Sequence, residues 1–229
     1  VWNPGWQPTK TELDSYECRH GIGYSRFTSS KNGVKASVLS FVPLNDNCEI
    51  SQLTLTNGSS EDKKLSVFSY VEWCLWNADD DMKNFQRNLS TGEVEVQDST
   101  IYHKTEYRER RNHYAIYSVN TKIDGFDTSR DAFLGAYRGA DSPEAVENGK
   151  CTNSMASGWS PIASHQINVD LAAGETKTFI FVLGYIENPE DEKWESYGVI
   201  NKTRAKEMLA KYQTDAQVDE AFAALQAYW

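Results

Sequence analysis

Cysteine is scarce in this sequence, with four in 229 residues. Cys18, Cys48, Cys74 and Cys151 make no C-x-x-C pair and have no zinc-finger spacing. A chain of this length can bury a sizeable core without staples, so reduced thiols are expected. Histidine is equally sparse: His20, His103, His113 and His165 show neither H-x-x-x-H nor H-E-x-x-H spacing. No metal site is expected, and each histidine reads as a structural hydrogen-bonding residue. Bases fall short of acids, 23 against 33, and a net charge of -10 repels a phosphate backbone, which excludes nucleic acid as a partner. No apolar run is long enough to span a bilayer, so no membrane partner is expected. There is no G-x-S-x-G elbow, P-loop or dinucleotide fingerprint, which removes the common hydrolase, phosphotransferase and oxidoreductase signals. Val1-Trp2-Asn3-Pro4-Gly5-Trp6 offers no basic or apolar leader region, so no signal peptide is expected.

Aromatic residues, in contrast, are plentiful: 7 Trp, 12 Tyr and 9 Phe. From Gly33 to about Leu183 the dominant hydrophobic period is two, the mark of strands with one face inward. Ile167, Val169 and Leu171 alternate with Gln166, Asn168 and Asp170, and Lys31-Asn32-Gly33 reads as a hairpin turn of type I′. Leu65 to Trp76 is apolar on both sides, with Val67, Val71 and Trp73 on one and Phe68, Tyr70 and Trp76 on the other. That pattern predicts a central strand covered on both faces, as between two sheets. Phe179 to Leu183 predicts another buried strand, entered by a turn at Ala173-Gly174-Glu175. Residues 124–160 lack a sustained period and read as a long, ordered loop with short elements. After Pro189 the period becomes helical, with Ala205, Met208, Leu209 and Tyr212 on one stripe, then a capping box at Thr214-Asp215-Ala216-Gln217. The second helix carries Val218, Phe222, Leu225 and Trp229, an apolar stripe that asks for a covering surface. The fold is predicted to be mainly β: a large antiparallel β-sandwich over residues 1–188 followed by two C-terminal linker helices over 189–229.

The chemistry concentrates in sixteen residues, Trp73-Cys74-Leu75-Trp76, then Asp79-Asp80-Asp81, then Asn84-Phe85-Gln86-Arg87-Asn88. Pyranose C–H faces pack on aromatic rings, while their hydroxyls suit amides, carboxylates and guanidinium groups. The three aspartates lack calcium-loop spacing and read as a solvated acidic turn. Read locally, Arg87 either neutralises those aspartates while Gln86 caps a turn, or the pair grips a sugar. The stretch from Lys104 to Arg111 is basic enough to hold an anion, but the interleaved Glu106 and Glu109 favour an exposed, salt-bridged face. Paired carboxylates for glycosyl transfer cannot be chosen from 33 acids by spacing alone.

Several strings in order carry a resemblance: Trp2-Asn3-Pro4-Gly5-Trp6, Asp14-Ser15-Tyr16-Glu17-Cys18-Arg19-His20-Gly21-Ile22-Gly23-Tyr24, Asn84-Phe85-Gln86-Arg87-Asn88, Tyr102-His103-Lys104-Thr105-Glu106-Tyr107-Arg108-Glu109-Arg110 and Ser157-Gly158-Trp159-Ser160-Pro161. They resemble the cellobiose phosphorylases of glycoside hydrolase family 94. The resemblance implies a cytoplasmic homodimer that splits cellobiose with inorganic phosphate, as co-substrate, into α-glucose 1-phosphate and glucose, without a further cofactor. It implies an N-terminal β-sandwich, linker helices, an (α/α)6 barrel carrying the general acid, and a small C-terminal β-domain. Laid on that plan, this chain corresponds to most of the sandwich, without its first strands, plus the linker helices. No catalytic residue is then expected within it, and alone it is expected to be inactive. Gln86 and Arg87 match residues that bind the acceptor glucose, and the partners implied are cellobiose or glucose and the remaining catalytic part of the enzyme. The alternatives are a stand-alone carbohydrate-binding β-sandwich module, whose aromatics grip a glucan, and a purely structural scaffold.

Overall fold

The computed structural model describes residues 1–73, 92–105, 112–156, 158 and 161–229. Gln86, Arg87, the three aspartates and residues 106–111 lie outside the described residues. The strands are β1 Ser15–Gly21, β2 Tyr24–Lys31, β3 Val34–Phe41, β4 Cys48–Asn57, β5 Lys63–Phe68, β6 Val71–Glu72 and β7 Gly92–Gln97. They continue as β8 Thr100–Thr105, β9 His113–Val119, β10 Gly125–Ser129, β11 Pro161–Leu171, β12 Thr176–Glu187, β13 Trp194–Ser196 and β14 Val199–Ile200. Four helices are described: α1 Arg130–Leu134, α2 Glu144–Glu147, α3 Thr203–Leu209 and α4 Asp215–Tyr228.

Eight strands form one antiparallel sheet in the order β1-β2-β3-β4-β12-β9-β8-β7, and β10-β11-β5, with β6 also on β11, form a smaller one. The protein is thus mainly β and antiparallel, with α3 and α4 after the last strand and the short α1 and α2 between β10 and β11. The β2–β3 hairpin closes with Lys31 opposite Val34, and the turn residues Asn32 and Gly33 take φ of 51° and 78°, as a type I′ turn demands. The run predicted from Phe179 lies in β12, in the middle of the large sheet between β4 and β9.

Side-chain alternation gives the large sheet two buried faces. Ala36, Leu53, Leu55, Tyr117, Val119, Phe179 and Phe181 pack against Ala163, Ile167, Val169 and Leu171 of the small sheet. The opposite face, with Leu39, Phe41, Ile50, Ile116, Ile180 and Val182, is covered by Ala205, Met208, Leu209, Tyr212, Val218 and Leu225. Gly184 lets that helical layer approach closely, because a Cβ there would stand 2.4 Å from Met208 Cε. The capping box at Thr214 and Gln217 is formed. The stripe of α4 finds its covering surface in the chain's own sheet through Val218 and Leu225, while Tyr228 and Trp229 remain 66% exposed.

The apolar run from Leu65 departs from expectation in position. Among the described residues it pairs only with β11, so there it is an outer strand of the small sheet, and it is split into β5 and β6 at Ser69 and Tyr70. Cover on both faces is nonetheless present. Val67, Val71 and Trp73 pack into the inter-sheet core, while Phe68 and Tyr70 pack on Phe133, Leu134, Ala145, Cys151 and Ile162. The second cover thus comes from the predicted ordered loop rather than from another sheet.

Lys104 overturns the exposed-face reading at its own position. Its side chain is only 6% exposed, and its Nζ lies 3.2 Å from Glu93, 2.9 Å from Glu95 Oε1 and 2.6 Å from the Gly198 carbonyl it donates to. Glu95 Oε1 also accepts from the Ile200 N–H at 2.9 Å, and Oε2 from Lys202 Nζ at 2.5 Å. Burial alone would raise the Glu95 carboxyl, but Lys202, the Ile200 amide and Lys104 outweigh it and hold the carboxyl below its usual range. This cluster fastens the β13–β14 hairpin to the β7–β8 edge. Removing one partner of a buried ionic cluster leaves its counter-charges uncompensated and typically costs about 3 kcal/mol or more. Glu95→Ala is therefore expected to lower the urea unfolding free energy by about 3 kcal/mol, and a loss under about 1 kcal/mol would contradict this role.

Candidate functional site

The sugar-site reading rests on residues 84–88, so the described residues bear on it through the strand ends that flank 74–91. Trp73 follows β6 directly, and Gly92 opens β7. Trp73 stacks on His103 of β8 with ring centroids 5.3 Å apart and planes 16° off parallel. The register pairs Gly92 with Thr105, Lys104 with Tyr114 and Glu72 with Ile162. Trp73, Gly92, Thr105 and Pro161 therefore share one end of the sandwich.

The exit strand β6 is fixed from both sides. On the inner side Trp73 meets His103; on the outer side Tyr70 stacks on Phe133 at 5.1 Å and 24°. Offset or parallel ring contacts of this kind add about 0.5–1.5 kcal/mol beyond area burial. Tyr70 donates to Glu72 Oε1 at 2.6 Å, and Arg130 Nε donates to the same oxygen at 2.9 Å. The Tyr70 phenol is raised, first by burial and then by its bond to Glu72. Glu72 is thus held by a tyrosine and an arginine, and its role is to fix the rim rather than to act as an unengaged base.

The break between β5 and β6 has a cause in Ser69. Its N–H donates to the His165 carbonyl at 3.0 Å, and its hydroxyl accepts from the His165 N–H at 3.0 Å and lies 3.1 Å from His165 Nδ1. Pairing resumes in the same register, from Phe68 opposite Gln166 to Val71 opposite Ala163. His165 in turn lies on Tyr117 at 5.0 Å and near Phe181 at 6.4 Å. Burial pushes His165 down to about 3, while burial and the neighbouring His113 push His103 down to about 4. Both imidazoles are neutral at pH 7, as parts of an aromatic scaffold. His165 does use its Nδ1 as expected of a structural histidine, but His103 Nδ1 and Trp73 Nε1 are buried without a hydrogen-bond partner among the described residues.

Cys18, Cys48 and Cys151 are free thiols; Cys74 lies outside the described residues. Among the described residues no group of three or more His, Cys, Asp or Glu side chains is placed to hold a metal, and no helix is long and apolar enough to cross a membrane. Sequence reasoning missed the Glu72–Arg130–Tyr70 rim and the Lys104–Glu95–Lys202 cluster. The alternation of Glu93 and Glu95 opposite a lysine was a partial signal for the second, but Lys202 comes from about a hundred residues away.

Residues 1–215 match the family described as glycosyl hydrolase 94, supersandwich domain. The chain belongs to that family. Among its curated relatives are N,N'-diacetylchitobiose phosphorylase of Vibrio furnissii, 31% identical over 100% of this chain, and solabiose phosphorylase of Paenibacillus borealis, 30% identical over 99%. The chain spans 27% and 28% of those two proteins. It is thus the family-94 supersandwich, a segment the size of about a quarter of those phosphorylases.

Because the folded His103 is depressed below the unfolded value near 6.5, the unfolded chain binds its proton first as pH falls. Stability is then full above pH 6.5 and declines toward pH 4. His103→Phe keeps a ring against Trp73 and removes the titration. The loss of unfolding free energy between pH 7 and pH 5 is expected to shrink by about 1–2 kcal/mol in this variant. Equal losses in variant and parent, measured by urea unfolding at both pH values, would contradict a buried neutral imidazole.

Proposed function

We propose that this segment completes the acceptor-sugar site of an inverting disaccharide phosphorylase whose substrate is cellobiose. The observation that carries the reading is the family-94 match over residues 1–215, together with relatives named as phosphorylases of disaccharides. In this reaction a phosphate oxygen attacks the anomeric carbon of the donor glucose while the bond to the bridging oxygen breaks. A carboxylic acid from the remaining part of the enzyme gives its proton to that oxygen, and α-glucose 1-phosphate and glucose leave. Phosphate replaces the water of a hydrolase, so a second carboxylate to activate the nucleophile is not required. The catalytic acid belongs to the parent enzyme's barrel, which makes the segment alone inactive, and the whole enzyme is a cytoplasmic homodimer.

Gln86 and Arg87 are the proposed acceptor contacts. A planar guanidinium spans two vicinal hydroxyl oxygens, and a neighbouring amide donates and accepts alongside it. The described chain on their N-terminal side is pinned from opposite faces by Trp73 and Tyr70. Selectivity at the acceptor then depends on how closely these two groups are held, because small displacements of a hydrogen-bonding group are costly.

In the full-length enzyme, Arg87→Ala is expected to raise the KM for acceptor glucose in the synthetic direction by about 10- to 150-fold, corresponding to about 1.5–3 kcal/mol for charged hydrogen bonds. The KM for α-glucose 1-phosphate should change little. An unchanged glucose KM would defeat the acceptor assignment. Phosphorolysis of cellobiose, N,N'-diacetylchitobiose and solabiose side by side tests the substrate, with cellobiose expected to give the highest kcat/KM; a preference for either other sugar would remove cellobiose and leave the acceptor assignment to the first test.

A further inference from the structure

The hairpin of β1 and β2 carries a chemical arrangement that acceptor binding does not use. Cys18 and His20 are two residues apart on β1, so their side chains leave the same face of the sheet. Cys18 Sγ lies 3.2 Å from His20 Nε2, and His20 Nδ1 lies 2.8 Å from Ser25 Oγ on the adjacent strand. With Nδ1–H donating to Ser25, the lone pair on Nε2 faces the thiol. This is the order of a nucleophile, its base and a group that orients the base. His20 is also steadied edge-on by Phe27, at 6.2 Å and 87°.

The surroundings favour reactivity at this thiol over the other described ones. β1 is an outer strand of the large sheet, His20 is exposed and Cys18 is partly exposed. On this face the cross-strand neighbours are Ser25 and Phe27, then Ser40 and Val38, none of them charged; Tyr16 is the other titratable group on β1 that shares the face. Glu17, Arg19 and Arg26 belong to the opposite face. Cys48 and Cys151 are buried, and burial is the main cause that pushes each thiol up to about 12, where almost no thiolate exists at neutral pH.

We propose that Cys18, His20 and Ser25 form a base-assisted thiol site at which Cys18 undergoes exchange with small-molecule disulfides. The Cys18 S–H proton passes to His20 Nε2, and the thiolate sulfur attacks one sulfur of the disulfide. A new S–S bond forms to Cys18 while the original one breaks, its electron pair leaving with the departing sulfur. That sulfur takes the proton from His20. Cys18 ends oxidised in a mixed disulfide, and half of the reagent leaves reduced, so the step needs no other oxidant. The imidazolium formed in between is held by Ser25 on one nitrogen and by the thiolate on the other.

The test is residue-resolved mass spectrometry of the full chain exposed to hydroxyethyl disulfide, an uncharged probe, at pH 7. Cys18 is expected to exchange at least about tenfold faster than Cys48 and Cys151 at pH 7. His20→Gln is expected to slow Cys18 about tenfold at pH 7, and Ser25→Ala to slow it about threefold. Both substitutions lie on an outer hairpin, and an unchanged urea midpoint establishes that the fold is intact. A Cys18 rate indifferent to His20→Gln, or equal to that of the buried thiols, would overturn the proposal.

Discussion

Everything in this structure hangs on a sheet that is buried from both sides. The small sheet takes one face of the eight strands and the C-terminal helices take the other, so β12 and its neighbours present apolar side chains in both directions. A two-faced strand has no register in which a hydrophobic residue can be spared, because a slip by one position exchanges the two interiors. The helical layer is therefore part of what specifies the pairing of β4, β12 and β9. Gly184 marks where that dependence is tightest, since Met208 occupies the space a side chain would need.

The sheet's stiffness is put to use at one end. The strand that leads toward residues 84–88 is held by a ring on each face, Trp73 on His103 and Tyr70 on Phe133, with Arg130 and Tyr70 converging on Glu72 between them. Each contact is modest alone. Together they remove the rocking and sliding freedom of a two-residue strand, which on its own would have too few ladder bonds to stay in place. The family-94 match covers this end of the sheet along with the rest of residues 1–215.

How much of this could be read from residues alone varies with the range of the interaction. The Asn32–Gly33 turn, the capping box at Thr214 and the alternation in β11 follow from side chains within a few positions of one another, and they appear as expected. The helical stripe of Ala205, Met208, Leu209 and Tyr212 was equally legible. What local pattern could not supply was the identity of the opposing surface. Leu65 to Trp76 announced two apolar sides, yet a small core built on Phe133 and Ile162 serves as cover just as a second sheet would, and an outer strand with both sides covered reads like a central one. Lys104 was misplaced for the same reason, because its counter-charge and its lid come from Glu95 and from residues near 200. For the site, the aromatic and polar crowding around residues 73–88 drew attention to the end of the sandwich where Trp73 and Gly92 stand, and the roles of Gln86 and Arg87, which lie outside the described residues, came from the family's pattern rather than from geometry.

The cluster that joins Glu95 to Lys104 and Lys202 carries a consequence for ionic conditions. Mobile ions screen charges they can surround, over about 10 Å at 0.1 M salt and about 3 Å at 1 M. The Arg19–Glu17 pair, with side chains 71% and 54% exposed, is open to that screening. The two lysines facing Glu95 are 6% and 4% exposed, so ions are shut out of the gap between them and their counter-charge. Brine that silences the electrostatics of the hairpin surface would leave the joint beside β13 and β14 untouched, and the segment would keep its shape in media too concentrated for ordinary surface pairs to matter.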